Sequence, residues 1–314
     1  MRETKKYFLI LAVAAIFSVF ESAPQFPQGK IAGVAVNAAQ QGFLDFPLVP
    51  DTKLVLLPVS RNAEKPPEIS AKAVLIRDVA SRATILERNS AEKLPIASLT
   101  KLMTALVVVE TSSLDEEVEI VSSDLNTAAY RLNFNPGETL TVRDLLTGML
   151  VSSANDAALA LARHTKGSIE EFVKAMNEKT RDLRMFATSF QNPIGLDHAR
   201  QYSTAADLSL LVEEFMNHTE LLDIVKMKAA TVSTISGRQK SRLYTTNKLL
   251  LDRADVIGLK TGFTAEAGGS LIILVHREKE HAPIEYYSIM LGSSDREGET
   301  DLLMKWIDDN FIWK

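Results

Sequence analysis

The sequence contains no cysteine, which removes disulfides, thiolate nucleophiles and cysteine-ligated metals from consideration. Histidine is scarce as well, with five in 314 residues. His276 and His281 flank a charged hairpin turn, where a solvated surface role outweighs metal binding. Neither charge dominates: 35 basic against 40 acidic residues leave a net charge of −5. A nucleic-acid binder usually carries a basic excess, so no nucleic-acid partner is expected. Also missing are a Gly-x-Ser-x-Gly elbow, a phosphate-binding loop and a dinucleotide fingerprint. What remains is a chain with 46% hydrophobic and 24% charged residues, ordinary for a protein with a full core. No metal or organic cofactor is implied.

The N-terminus places Arg2, Lys5 and Lys6 before an uncharged, mostly apolar run from Tyr7 to Phe20. The run is shorter than the about 20 residues of a membrane span and suits an export signal. Glu21 and Pro24 flank the nearest small-residue site, Ser22-Ala23, and neither favours cleavage. Residues 1–23 are therefore expected to be an export signal or a retained membrane anchor, placing the protein in the periplasm or cell-wall space. Seven of the eleven prolines fall between Pro24 and Pro67, so residues 24–68 read as a tether without helical or strand period.

Regular patterning begins near Ile69. Ala73–Ile76 and Ala83–Leu86 read as strands joined by a turn at Ala80-Ser81, and Leu99–Val109 as an apolar helix. Thr141-x-x-Asp144, Ser168-x-x-Glu171 and Thr204-x-x-Asp207 each resemble a capping box opening a helix. Strands return at Ala230–Ile235, Arg242–Thr246, Val256–Thr261, Ser270–His276 and Tyr286–Leu291, before a last helix at Thr300–Phe311. Strands at both ends of a helical block imply an α/β (α+β) domain over 69–314, with one antiparallel sheet, flanking helices and a helical subdomain.

Without a histidine base, a serine enzyme needs another. Ser98-Leu99-Thr100-Lys101 supplies a candidate: at a helix start, residues three apart share a face, so the ammonium can reach the hydroxyl. The pattern is cheap, since Ser90-Ala91-Glu92-Lys93 matches it too. Ser90 falls in a polar loop, whereas Ser98 opens a helix apolar enough to bury a lysine stem. Ser153-Ala154-Asn155 interrupts a strongly helical region, which on its own reads as a helix cap, and a second Ser-x-Asn, Ser60-Arg61-Asn62, carries no meaning in the tether. Lys260-Thr261-Gly262 occurs once, at a strand end. In this order the three motifs form the signature of penicillin-binding proteins and serine β-lactamases.

From about Ala71 onward the chain resembles the D-alanyl-D-alanine carboxypeptidases, the low-molecular-mass penicillin-binding proteins. The likeness extends through Leu94–Ala105, Leu145–Ala158, Asn192-Pro193-Ile194-Gly195-Leu196, Tyr202-Ser203-Thr204 and Gly258–Gly268. It implies a serine β-lactamase/DD-peptidase-like fold and hydrolysis of peptidoglycan stem peptides ending in D-Ala-D-Ala, with β-lactams as inhibitors. By resemblance, Ser98 attacks the carbonyl, Lys101 takes its proton and Ser153 relays that proton to the leaving D-alanine. Asn155 holds the substrate amide and steadies Lys101, while Thr261 and Lys260 grip the terminal carboxylate. Gly262 leaves the strand edge open to an added peptide strand, and the N–H groups of Ser98 and Phe263 form the oxyanion hole. Arg296 resembles a family arginine that recognises carboxylate. Lys101 must be neutral to act, below its free value of about 10.4, and burial and the Lys260 charge both push it that way.

The sequence departs from this pattern at Ala154, where relatives usually carry glycine, and at Thr246, where an arginine often precedes the Asn-x-Leu-Leu stretch. A β-rich domain and amphipathic anchor, common after the catalytic domain, have no room before Lys314. A D,D-endopeptidase of the same fold is the nearest alternative. A class A β-lactamase needs an extra deacylating glutamate; Glu213 and Asn217 have a similar spacing but fall within an expected helix. An inactive wall-binding module is disfavoured by the intact serines and lysines.

Overall fold

The computed structural model describes residues 55–62, 64–127, 130–278 and 283–314. The export signal or anchor expected over 1–23, most of the expected tether and His281 lie outside them. A single compact unit runs from Leu54 to Lys314, so the boundary expected at Ile69 falls inside it. The first strand, β1 (Pro58–Ser60), precedes β2 (Ala73–Asp78) and β3 (Thr84–Arg88). Helix α1 (Thr100–Val109) follows, then a small hairpin of β4 (Glu117–Glu119) and β5 (Thr139–Thr141). The helical block continues with α2 (Val142–Val151), α3 (Asn155–Lys166), α4 (Ile169–Asp182), α5 (Ala205–Phe215) and α6 (Thr219–Val225). Then come β6 (Ala229–Ser233), β7 (Lys240–Tyr244) and the one-turn α7 (Lys248–Asp252). The chain closes with β8 (Val256–Thr264), β9 (Gly268–Arg277), β10 (Ile284–Ser293), α8 (Arg296–Asn310) and β11 (Phe311–Trp313).

The main sheet is antiparallel with strand order β3-β2-β10-β9-β8, joining both ends of the chain as expected. The strands expected at 230–235 and 242–246 do not join it. They form a separate two-stranded ribbon, β6 with β7. Side chains that alternate along a strand point to opposite faces, and here both faces are apolar. Leu75, Ile272, Leu274, Tyr287 and Ile289 pack toward the helical block. Val74, Ile76, Ile273, Val275 and Met290 pack toward Leu303, Met304 and Ile307 of α8. The sheet is therefore the middle of three layers. Nine of the ten residues of α1 are buried, which explains why its sequence is apolar all round: a helix wrapped by core has no solvent face to mark.

The hydroxyls of Thr141, Ser168 and Thr204 accept the N–H of the residue three later, at the N-termini of α2, α4 and α5. Residues 58–60, expected in the tether, pair antiparallel with 311–313. Trp313 explains the attachment: its ring stacks on Tyr286 at 6.3 Å, and its indole N–H donates to Asp78 over 2.7 Å. The C-terminal strand is thereby fixed to the sheet and offers β1 a template.

Candidate active site

Ser98 sits in a single 3₁₀ turn, Ala97–Leu99, that leads directly into α1. Ala97 before it has a left-handed backbone, φ 46°, a conformation that costs a non-glycine residue about 1–2 kcal/mol. Such strain persists only where the surroundings enforce it, and two glycines do so. Gly262 of β8 lies so close that a methyl group there would stand 3.0 Å from the Ile96 carbonyl oxygen and 3.1 Å from the Ser98 nitrogen. Gly195, at φ 89°, is closer still: a methyl group there would fall 2.0 Å from the Ala97 carbonyl oxygen. The glycine of the third motif thus lets the strand approach the Ser98 turn. The open strand edge expected of it comes from topology instead, because β8 is the outermost strand.

Lys101 is fully buried, the second residue of α1. Its Nζ donates to Asn155 Oδ1 at 2.8 Å and the Ile194 carbonyl at 2.7 Å and lies at hydrogen-bond distance, 3.0 Å, from Ser98 Oγ. Burial first, and the Lys260 charge second, hold the Lys101 ammonium well below its usual range. Asn155 opens α3, and its carbonyl oxygen is committed to Lys101. Ser153 is buried at φ 63° in the break between α2 and α3. Ala154 is fully buried at φ −60°, so the position where relatives carry glycine needs no glycine conformation here.

Lys260 reaches the site through a bulge. Gly258 pairs with Ile273 but Lys260 with Ile272, so Leu259 is the extra residue. An extra residue exchanges the faces of everything after it, which turns Lys260 and Gly262 toward the helical block. Lys260 is buried, its Nζ donating to the Thr261 carbonyl over 3.0 Å. Burial, then the Arg296 charge, lower it to about 7. Lys260 therefore lies beneath the cleft, which is lined by its neighbour Thr261.

That cleft is a cavity of about 470 Å³ with Ser98, Ser153, Thr261, Gly262, Phe263 and Arg296 in its walls. Phe263 is exposed, and Arg296 is held by Nη1 on the Gly262 carbonyl at 2.8 Å and by Nε on Glu297 at 2.9 Å. Thr246, in place of the expected arginine, shares a 2.5 Å hydrogen bond with Thr261 and also lines the cleft. All nine residues proposed from the sequence therefore converge here, six on the cavity wall and Lys101, Asn155 and Lys260 beneath it.

Three contributors were not among the site residues expected from the sequence. Tyr130 forms part of the wall, and its carbonyl accepts the Asn155 N–H at 2.7 Å. The Asp156 carboxylate grips the Leu132 and Asn133 N–H groups beside it. Asn192 gathers the N–H groups of Ile194, Gly195 and Leu196 on its Oδ1, which aims the Ile194 carbonyl at Lys101. Asn192-Pro193 and Gly195 are turn signals, but nothing local says what the turn supports. Glu213 lies elsewhere, accepting from Tyr287 Oη and pairing with Arg77 and Arg82, which removes it as a deacylating base.

The D-alanyl-D-alanine carboxypeptidase family model matches residues 60–284. The D-alanyl-D-alanine carboxypeptidase DacF of Bacillus subtilis is 33% identical over 258 residues, 80% of this chain and 64% of that protein. A D-alanyl-D-alanine endopeptidase of Pseudomonas aeruginosa is 35% identical over 211 residues, covering 66% of this chain and 67% of the other. A Listeria monocytogenes penicillin-binding protein, solved with ampicillin bound, superposes with a TM-score of 0.67 at 33% identity, over 78% of this chain and all of that one. The chain spans less than two thirds of the length of the curated carboxypeptidases it matches. These likenesses agree with a sheet and helical block of the serine β-lactamase/DD-peptidase type.

Proposed function

The chain belongs to the D-alanyl-D-alanine carboxypeptidase family, and from that membership we propose that it removes the terminal D-alanine of peptidoglycan stem peptides through a serine acyl-enzyme. The observation that carries the reading is Lys101: a fully buried amine, 3.0 Å from Ser98 Oγ, whose hold on a proton is weakened first by burial and then by the Lys260 charge. A neutral amine at hydrogen-bond distance is a general base. It takes the Ser98 proton as Oγ bonds to the scissile carbonyl carbon. The oxyanion that forms faces the N–H groups of Ser98 and Phe263, each worth about 3–4 kcal/mol when aligned. The proton then passes by way of Ser153 to the leaving amine as the C–N bond breaks. Water hydrolyses the ester and regenerates Ser98.

The substrate lies as an added strand along the free edge of β8. Thr261 and Arg296 take its carboxylate, with Lys260 supplying charge from below. β-Lactams, whose strained amide meets the same nucleophile, acylate Ser98 and stay. Residues 1–23 deliver the chain beyond the cytoplasm. Among the described residues, no helix is long and apolar enough to cross a membrane. Intact-mass spectrometry after incubation with penicillin should give one adduct, on a peptide containing Ser98 and absent from Ser98→Ala. Release of D-alanine from a pentapeptide completes the test, and absence of both adduct and release refutes the reading. The similarity to an endopeptidase supports cross-linked peptide as a second substrate, read by the same assay on a cross-linked dimer.

A further inference from the structure

A second cavity adjoins the catalytic one and shares two of its wall residues. Lys248 and Glu297 line both, and the other walls of the second, a cavity of about 380 Å³, include Asp252, Arg253 and Asp301. We propose that this second cavity is a leaving-group subsite that accepts a residue with a side-chain amine, a diamino acid, in place of the terminal alanine. The inference rests on the catalytic reading above and concerns what departs from the site.

The charges in the second cavity are unequal in their commitments. Arg253 donates to both carboxylate oxygens of Asp255 at 3.0 Å and to Asp301 at 2.7 Å. Glu297 accepts from Arg296. Lys248 and Asp252 are exposed and have no ion-pair partner among the described residues. They stand at the two ends of α7, four residues apart and thus on one face of the helix. In a Lys-to-Asp order this pair has the weaker of the two orientations on a helix, and they do not bridge each other.

Their placement in the two cavities matters. Lys248 borders both cavities, while Asp252 borders only the second. Thr261, Arg296 and Lys248 share the catalytic cavity, and the Asp252 carboxylate belongs to the second one, with Glu297 in the wall of both. A leaving residue with an α-carboxylate near the cations and an amine at the end of a flexible stem presents the complementary charges. Alanine presents the carboxylate alone and leaves the second cavity unfilled. The chemistry is unchanged: Ser98 Oγ bonds to the acyl carbon, the C–N bond breaks, the hydroxyl proton goes to the leaving α-amine, and water later cleaves the ester.

The test compares three peptides with one acyl portion, ending in D-alanine, D-lysine or D-norleucine, and reads kcat/KM for release by the full chain. D-Norleucine matches the lysine stem without its charge. D-Lysine should exceed D-norleucine by about two- to five-fold, the range of an exposed ion pair. The ratio should fall toward one at high salt and in Asp252→Asn. Equal rates for the two, or a preference that survives Asp252→Asn, would overturn the subsite while leaving the catalytic reading intact. No release from any of the three, with no penicillin adduct on Ser98, overturns both.

Discussion

Gly195→Ala separates a turn that merely passes the active site from one that holds it in place. The added methyl carbon would stand 2.0 Å from the Ala97 carbonyl oxygen, 2.4 Å from its carbon and 2.9 Å from the Ser98 nitrogen. All three are backbone atoms, so no side-chain rotation relieves the overlap. Reaching even 3.0 Å requires a displacement of about 1 Å, shared between the 193–195 turn and the nucleophile turn. One partner in that movement carries Ser98, and the other carries the Ile194 carbonyl that accepts from Lys101. A misplacement of about 1 Å at a reacting group costs on the order of 100-fold in rate. The left-handed backbone adds about 1–2 kcal/mol and the overpacking about 1–3 kcal/mol to the loss of stability.

The control is Gly137→Ala. Gly137 has nearly the same backbone, φ 86° against 89°, but nothing lies within 4 Å of its added methyl group. It should show the conformational cost alone and acylate at the wild-type rate. Acylation by penicillin, followed by intact mass, and the thermal midpoint together make the comparison. Gly195→Ala should acylate about 100-fold more slowly and melt roughly 4–20 °C lower, at about 2–4 °C per kcal/mol for a domain of this size. Wild-type acylation in Gly195→Ala would refute the claim that this turn fixes the nucleophile.

The pH dependence of acylation should rise as Lys101 loses its proton and fall above about 7 as free Lys260 loses the charge that attracts a carboxylate. In Lys260→Gln a like charge is gone, so the rising limb should move to higher pH, modestly because burial is the larger cause; an unmoved limb would leave burial as the only one. Arg296→Gln removes the charge that depresses Lys260, so the falling limb should move upward while carboxylate-bearing peptides bind less tightly, both read from kcat/KM profiles. A fragment beginning at Ile69 should retain acylation but lose about 1–4 kcal/mol, since the Leu57–Lys314 pair of hydrogen bonds and the Arg61–Asn310 bond disappear with β1; an unchanged denaturation midpoint would show that β1 contributes nothing.

How much of this was visible in the sequence follows from how local each cause is. Helix caps are local, and Thr141, Ser168 and Thr204 each cap the helix expected after them. The Ser98–Lys101 pairing is also local, being one helical turn. The strands of the main sheet were legible because their apolar content is high, although burial on both faces blurs the alternation that usually marks a strand. β6 and β7 read equally well as strands, but a strand does not record which sheet it joins. Residues 58–60 contain a proline and too few residues to show a period; their strand exists because Trp313 anchors its partner. The Leu259 bulge and the support from Asn192 and Gly195 depend on contacts between distant segments, which no window of sequence contains.

The bulge shows why these long-range features decide the chemistry. Without it, Lys260 would face α8 and the site would lose both its buried second cation and the second cause that lowers the Lys101 ammonium. With it, two lysines are buried near each other, and neither has a carboxylate partner among the described residues. Burying unpaired cations is costly to a fold, and that cost is what lowers the Lys101 ammonium well below its usual range. Lys260 is lowered only to about 7, so near neutral pH it retains part of its charge with no protein anion to balance it. Arg296, tied to the Gly262 carbonyl, adds positive potential on the same side. The counter-charge missing from the chain is the one a carboxylate-ended ligand brings, and its arrival favours the charged form of Lys260. That charge in turn disfavours protonation of Lys101 and so opposes the pull of the carboxylate's own charge on the base proposed for Ser98.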